Sequence, residues 1–195
     1  MAATEPIRNK KQVRELAGYY LKKGMLRNYA LIVMGVHTAL RISDLLRLKW
    51  DDVYDFDKRQ FRPHIDVIEK KTGKAKTIAL NKEAIHALGI YATLPERCGS
   101  GRYIFESNRK NRAAISRIQA YRIIRAAALA VGLGKRISCH SLRKTFGYHA
   151  WKSGAPVAVI MDIYNHTSLA VTKRYLGICQ DDRDKVYRSM SFLRV

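Results

Sequence analysis

The sequence predicts an α+β domain that is mainly helical and carries one small antiparallel β-hairpin. Three observations support that expectation. Apolar residues recur at helical spacing, most clearly at Ala120, Ile124, Ala127 and Val131. Gly, Pro and Ser punctuate such stretches where helices start or stop. One pair of short runs, Ile65-Asp66-Val67-Ile68 and Thr77-Ile78-Ala79-Leu80, reads as paired strands. With 195 residues and 47% hydrophobic content, the chain is most simply one cored domain.

Taken in order, residues 10–23 read as a helix that Gly24 stops. Residues 27–40 form a second helix around the apolar run from Tyr29 to Val36, and Arg41 is read as helical. Ser43 is the expected N-cap of a short helix through Leu48, and residues 51–57 read as a turn. The two strands flank Lys71-Thr72-Gly73-Lys74, which gives the hairpin a basic tip. Asn81 caps a helix through about Tyr91, and residues 95–101 form a loop. The next long helix covers residues 114–131 and ends at Gly132 and Gly134. Ser138 caps a helix through Lys152, stopped by Ser153-Gly154. Pro156 opens a short helix through about Tyr164. Ser168 caps another that carries Tyr175, and residues 181–193 form a terminal helix.

The charge balance narrows the partner. Lys and Arg number 37 against 16 Asp and Glu, a net charge of +21. No acid occurs from Ser107 to Met161, a stretch with eleven Lys and Arg, Arg109 and Lys110 among them. A merely solvated surface mixes signs, whereas a one-signed stretch is the electrostatic footprint of a polyanion, most commonly nucleic acid. Arg117, Tyr121 and Arg125 recur every four residues beside the apolar stripe, a face that can lie on double-stranded DNA. With Lys74 at the hairpin tip they are the candidate DNA contacts.

Other classes are disfavoured. Cys98, Cys139 and Cys179 are odd in number and form no C-x-x-C pair, so they read as free thiols in a reducing compartment. The apolar run at Tyr29 is too short to span a membrane, and the N-terminus lacks a signal-peptide core. The expected location is the bacterial cytoplasm and nucleoid. Cys139, His140, His149 and His166 do not follow zinc-ligand spacing, and no Gly-rich Lys-Ser/Thr phosphate loop is present. No metal or other cofactor is expected.

The chemistry-bearing residues cluster towards the C-terminus. His140 and Arg143 are three apart on a helix and share a face. The arginine's planar fork suits a phosphate, and the histidine can relay a proton. His166 and Tyr175 follow. Singly, each has a bland reading: a capping histidine, a surface arginine, a solvated turn lysine, a core tyrosine. In combination they resemble the tyrosine recombinase (phage integrase) family. Thr38-Ala39-Leu40-Arg41-Ile42-Ser43-Asp44 looks like its first arginine box. Lys71-Thr72-Gly73-Lys74 looks like the hairpin that supplies its lysine, and His140-Ser141-Leu142-Arg143-Lys144-Thr145-Phe146-Gly147 is similar to the second box. Asn165-His166-Thr167-Ser168 with Thr172 and Tyr175 resembles the last. The usual Leu-Gly before the last histidine is Tyr164-Asn165 here.

The resemblance implies a tyrosine recombinase catalytic-domain fold and site-specific DNA strand cleavage and rejoining. Tyr175 is then the nucleophile that forms a 3′-phosphotyrosyl link, with Tyr148, Tyr164 and Tyr187 as rivals. Arg41 and Arg143 stabilise the transition state, His140 moves the tyrosine proton, Lys71 protonates the leaving 5′-oxygen and His166 binds a non-bridging oxygen. Asp44 orients the arginines. The family also implies a homo-tetramer on DNA, a monomer in free solution and accessory DNA-bending proteins. The expected division is a tail over 1–9, a catalytic domain over 10–178 and a C-terminal helix over 179–195. The apolar face of that helix (Val186, Tyr187, Met190, Leu193) would dock on a neighbouring protomer. The length suits either a short single-domain member, like the fimbrial phase-switch invertases, or an excised C-terminal catalytic domain. The alternative function is a catalytically silent DNA-binding regulator with the same fold.

Overall fold

The computed structural model describes residues 4–108, 112–178 and 180–191; Arg109, Lys110, Cys179 and Leu193 lie outside that set. Helix α1 (Lys10–Leu21) starts at Asn9, whose side chain accepts from Lys11 N, and gives way to a turn with Gly24 at φ 65°. Helix α2 (Leu26–His37) is the centre of the core, with residues 30–36 all buried. A helix apolar on every side must be covered on every side. Here α1, α5 (Lys82–Ala92) and α7 (Cys139–Lys152) all pack on α2. Gly35 permits the approach of α7, since a Cβ there would lie 2.6 Å from Leu142 Cδ1.

The segment after α2 departs from expectation. The helix stops at His37, and the Thr38 hydroxyl bonds back to Met34 O. Ala39 takes φ 54°, and Arg41 is extended and caps the four-residue helix α3 (Ile42–Leu45). Arg41 is thus a junction residue, not a helical one, and Ser43 lies inside α3 instead of capping it. The cause is tertiary: the Ala39 carbonyl is turned towards a buried side chain of α7. Residues 51–57 also hold more structure than a turn. They include most of α4 (Trp50–Val53) and all of β1 (Tyr54–Asp55), which pairs with β2 (Gln60–Phe61).

The expected hairpin is present as β3 (His64–Ile68) and β4 (Ala75–Ala79), antiparallel, with His64 opposite Ala79 and Ile68 opposite Ala75. Asn81 caps α5 through Ala84 N, and Pro95–Arg97 adds a 3-10 turn. Helix α6 (Arg117–Ala130) begins later than its pattern suggests. Ala114 bridges to Glu106 and Ile115 N bonds Phe105 O, which leaves Ser116 as the cap. Its stripe residues Ala120, Ile124 and Ala127 are fully buried. The chain closes with α8 (Val157–Tyr164), α9 (Leu169–Leu176) and α10 (Gln180–Ser189).

Among the described residues the core has two parts. The larger surrounds α2; the smaller joins Ala39, Ile160, Tyr164 and Leu176, with Phe146 and Tyr175 packed against it. Residues 4–9 lie against the domain as a strap. Ile7 is buried and its N–H bonds Thr145 Oγ1, Lys144 Nζ bonds Thr4 O, and Arg8 Nη2 bonds Gly177 O just beyond α9. Among the described residues, no helix is long and apolar enough to cross a membrane.

Candidate active site

Arg143 is the anchor of the site. It lies on α7, is 1% exposed, and donates through Nη1 to Ala39 O and through Nη2 to Tyr164 O at 2.8 Å. Its Cζ lies 4.5 Å from the Tyr164 ring centroid. Two backbone carbonyls offset much of the cost of burying the charge. The left-handed turn at Ala39, costing roughly 1–2 kcal/mol for a residue with a Cβ, puts one of those carbonyls in place. Arg143 Nε is buried and completes no hydrogen bond among the described residues.

Arg41 approaches from the α3 junction. Its Nη1 lies 2.7 Å from Glu69 Oε2, an ion pair, and completes no well-formed hydrogen bond among the described residues. Glu69 is fully buried at the end of β3. Burial would raise its pKa, yet Arg41, Asn165 and Thr72 outweigh that and hold it at about 2. The Asn165 amide lies close enough to Glu69 to contribute, although Asn165 Nδ2 and Glu69 Oε1 complete no hydrogen bond. Asp44 is engaged elsewhere: its Oδ1 accepts from Lys70 N at 3.0 Å and from the Ser43 hydroxyl. The carboxylate that meets Arg41 is therefore Glu69, and Asp44 fastens the main chain of the hairpin.

His140 and Arg143 share the inner face of α7, as their spacing requires. The His140 ring meets the Tyr175 ring edge-on with centroids 4.9 Å apart. Burial first, then Lys144, Arg143 and Arg41, push its pKa down to about 4. His166 follows α8, which ends in Asn165 at φ 52°, ψ 41°, with His166 N bonded to Met161 O. Asparagine tolerates this left-handed cap, so the departure from the usual glycine leaves the turn intact. The His166 ring lies 4.6 Å from Tyr175, and its Nδ1 is 3.0 Å from Thr172 Oγ1. Burial, then Arg143 and Arg41, bring its pKa to about 4.

Tyr175 projects from α9, whose start is fixed by Ser168 Oγ accepting from Val171 N. It is half-buried, with Arg143 Cζ 5.9 Å and Lys144 Nζ 5.6 Å from its ring centre. It opens on a cleft of 820 Å³ that also meets His140, Lys144, Lys173, Arg174 and Arg183. The rival tyrosines are placed otherwise. Tyr164 is fully buried, donates to Arg143 O at 2.6 Å, and has its phenol pKa raised by burial. Tyr148 packs against His149 and Trp151, and Tyr187 stands exposed on α10.

The hairpin lysines divide. Lys71 and Lys74 are exposed on the turn, and among the described residues the Lys71 side chain makes no hydrogen bond or ion pair. The structure thus does not bring Lys71 into the cluster. Lys76, which sequence reasoning passed over, points inward and donates from Nζ to Ile163 O. Burial and then Arg143 lower its pKa to about 8. The available signal was its alternation with Ile78 on the inner face of β4 and with Leu80 just beyond it. Glu69 was also missed; its signal was that it is the only acid between Asp66 and Glu83.

On α6, Arg117 and Tyr121 are exposed, as a contact face requires. Arg125 is not available in the same way. Its Nη1 donates to Gly134 O and Ile137 O, which fixes the loop entering α7. The site as a whole places two guanidinium groups and two neutral imidazoles around one phenol. Three of its buried donors, Arg41 Nη1, Arg143 Nε and Asn165 Nδ2, complete no hydrogen bond among the described residues. Such a site can receive an anion with several acceptor oxygens.

Comparison with known proteins agrees with that chemistry. The phage integrase family model matches residues 8–180. The probable integrase/recombinase YoeC of Bacillus subtilis is 38% identical over 188 residues, covering 96% of this chain and 97% of that protein. Tyrosine recombinase XerD of Mycobacterium tuberculosis is 31% identical over 155 residues, 77% of this chain, and the match spans only 47% of XerD. Among solved structures, the XerA recombinase superposes with a TM-score of 0.78 at 24% identity, covering 98% of this chain and 68% of that one. XerH bound to its palindromic difH substrate, after cleavage, superposes with a TM-score of 0.74 at 18% identity over 96% of this chain and 54% of that one.

Proposed function

The chain belongs to the phage integrase family and is a tyrosine-type site-specific DNA recombinase, and we propose that Tyr175 is its nucleophile. DNA is its substrate, and the solved relatives include recombinases bound to theirs. The observation that carries the assignment is the environment of Arg143. A completely buried guanidinium is held by two carbonyls, has an Nε with no partner among the described residues, and lies beside a half-exposed tyrosine flanked by two histidines.

The reaction then proceeds without a separate energy source. Tyr175 Oη attacks the scissile phosphorus, the P–O5′ bond breaks, and a 3′-phosphotyrosyl link and a 5′-hydroxyl result. The phenol is a weak nucleophile at neutral pH and needs a base or adjacent charge. His140, neutral at pH 7 because its pKa is about 4, takes the phenolic proton. Arg41 and Arg143 stabilise the charge that develops on the non-bridging oxygens, a contribution of about 3–4 kcal/mol per donor in comparable sites. When the Thr172 hydroxyl donates to His166 Nδ1, Nε2 carries the proton and can donate to the phosphate. Lys71 protonates the leaving 5′-oxygen once the turn closes over the duplex. Attack of a 5′-hydroxyl on the phosphotyrosine reverses these steps and joins the strands.

The protein works as a homo-tetramer on DNA in the cytoplasm, aided by DNA-bending proteins, and is a monomer when free. Asp182 of α10 pairs with Lys152 in the same chain, while Val186, Tyr187 and Met190 stay exposed. That face docks on a neighbouring protomer. Sedimentation with and without DNA tests it: a variant lacking residues 179–195 that still assembles would refute trans docking.

The decisive experiment uses a suicide duplex carrying the protein's own recombination site and a denaturing gel. The wild type forms a covalent complex; Tyr175→Phe forms none yet keeps its DNA affinity. No complex with the wild type, the outcome of a silent regulator, or a complex with Tyr175→Phe, overturns the assignment.

A further inference from the structure

We propose that Glu69 is a positioning residue for Lys71, tying the lysine turn to the arginine side of the active centre. This rests on the reading of Lys71 as the acid that protonates the 5′-oxygen.

Glu69 sits where β3 ends and the turn begins. Its main chain closes the turn: Glu69 N bonds Lys74 O, and Gly73 N bonds Glu69 O at 2.8 Å. Its side chain reaches two ways. Oε2 accepts from Thr72 Oγ1 at 2.9 Å and lies 2.7 Å from Arg41 Nη1. The same carboxylate oxygen therefore joins the residue next to Lys71 with one of the phosphate-binding arginines. The neighbouring Lys70 N is tied to Asp44, three residues after Arg41. The base of the turn is thus fastened twice to the segment that presents Arg41, while the Lys71 side chain itself stays exposed. Asn165, beside His166, lies against the same carboxylate and adds the third catalytic segment.

A buried carboxylate is costly, and a plain ion pair seldom justifies it. Glu69 gains its partners from separate parts of the active centre. In the cleavage step, the Tyr175 oxygen bonds to phosphorus and its proton passes to His140. The P–O5′ bond breaks, and the proton of Lys71 Nζ passes to O5′. The lysine must sit on the leaving-group side while Arg41 sits on the non-bridging oxygens. A tether from Thr72 through Glu69 to Arg41 sets that separation.

The test compares two suicide duplexes, one normal and one with sulfur replacing the bridging 5′-oxygen at the scissile phosphate. A thiol has a pKa of about 8.5 and leaves as thiolate without protonation, so the sulfur duplex bypasses the acid. Single-turnover covalent-complex formation is measured for wild type, Lys71→Ala, Glu69→Ala, Thr72→Val and Arg41→Ala. On the oxygen duplex, Glu69→Ala and Thr72→Val should lose about 10- to 100-fold, part of the ~10²–10⁴ that a positioned acid supplies. On the sulfur duplex both recover towards wild type, as Lys71→Ala does, whereas Arg41→Ala stays slow. Equal losses for Glu69→Ala and Thr72→Val on both duplexes, with Lys71→Ala rescued, overturn the role of Glu69 and leave Lys71 as the acid. A Lys71→Ala variant that sulfur does not rescue overturns the acid assignment, and this proposal with it. If Glu69→Ala fails to fold, Thr72→Val on the exposed turn decides alone.

Discussion

Replacing Gly147 with alanine would place a methyl carbon 2.2 Å from Tyr164 Oη and 2.8 Å from its Cε2 and Cζ. The tyrosine has nowhere to retreat. It is fully buried, with Arg143 4.5 Å from its ring centre and the rings of His166 and Tyr175 at 4.9 and 5.2 Å. Overpacking of this kind costs about 1–3 kcal/mol. Loss of the Tyr164 bond to Arg143 O adds about 0.5–1.5 kcal/mol, and alanine's better helix propensity returns about 1 kcal/mol. The net is a destabilisation of about 0.5–3.5 kcal/mol, or roughly 1–14 °C in Tm for a domain of this size. The catalytic effect should be larger than the stability effect. A ring pushed by about 1 Å carries His166 and Tyr175 with it, and misplacement on that scale costs about 100-fold in rate. Thermal denaturation followed by circular dichroism gives the first number. Covalent-complex formation on a suicide duplex, well below the melting range, gives the second. An unchanged or higher Tm with undiminished cleavage would refute the view that Tyr164 is the wall against which the catalytic rings are set.

Three further outcomes follow from the same geometry. Arg143→Lys should cut cleavage about 10²–10³-fold while sparing DNA affinity, because one ammonium cannot hold Ala39 O and Tyr164 O and still meet the phosphate; a fully active lysine variant contradicts this. His140 and His166, both lowered from 6.5 to about 4, favour the neutral form in the folded state. Their stabilisation is complete above pH 6.5 and is lost as pH falls towards 4, with a slope of at most about 1.4 kcal/mol per pH unit each, reduced by their partial exposure. Glu69, lowered from 4.5 to about 2, loses its contribution between about pH 4.5 and 2, so urea titrations of a His140→Gln, His166→Gln double variant should show a flatter slope between pH 6.5 and 4.5. DNA affinity should fall linearly with salt on logarithmic axes, and Lys74→Ala or Arg117→Ala should each reduce the slope by about one. Arg125→Ala should instead lower Tm, since its guanidinium braces the loop at Gly134 and Ile137; a reduced salt slope without a change in Tm would reverse that assignment.

Local patterns determined much of this protein. The three-residue step from His140 to Arg143 puts both on one face of a helix wherever that helix packs. Ser168 starts the helix that carries Tyr175, and an asparagine at 165 suits the left-handed cap before His166. The strand runs around Lys71 form the expected hairpin. What failed to be legible were the partnerships. Arg41 has Asp44 three residues away, yet meets Glu69 at the base of the hairpin turn, two residues after a turn at Ala39 whose carbonyl accepts from Arg143. Arg125 has the spacing of a DNA contact, but two carbonyls beyond α6 claim it. Lys76, not Lys71, fills the place beside Ile163, and residues 4–9 bind α7 and Gly177, partners far along the chain. Periodicity and capping act within a turn or two, so the sequence alone sets which face a residue occupies. Which charge meets it there depends on segments distant in the chain, and only tertiary packing, with its demand that each buried polar group find a partner, decides that.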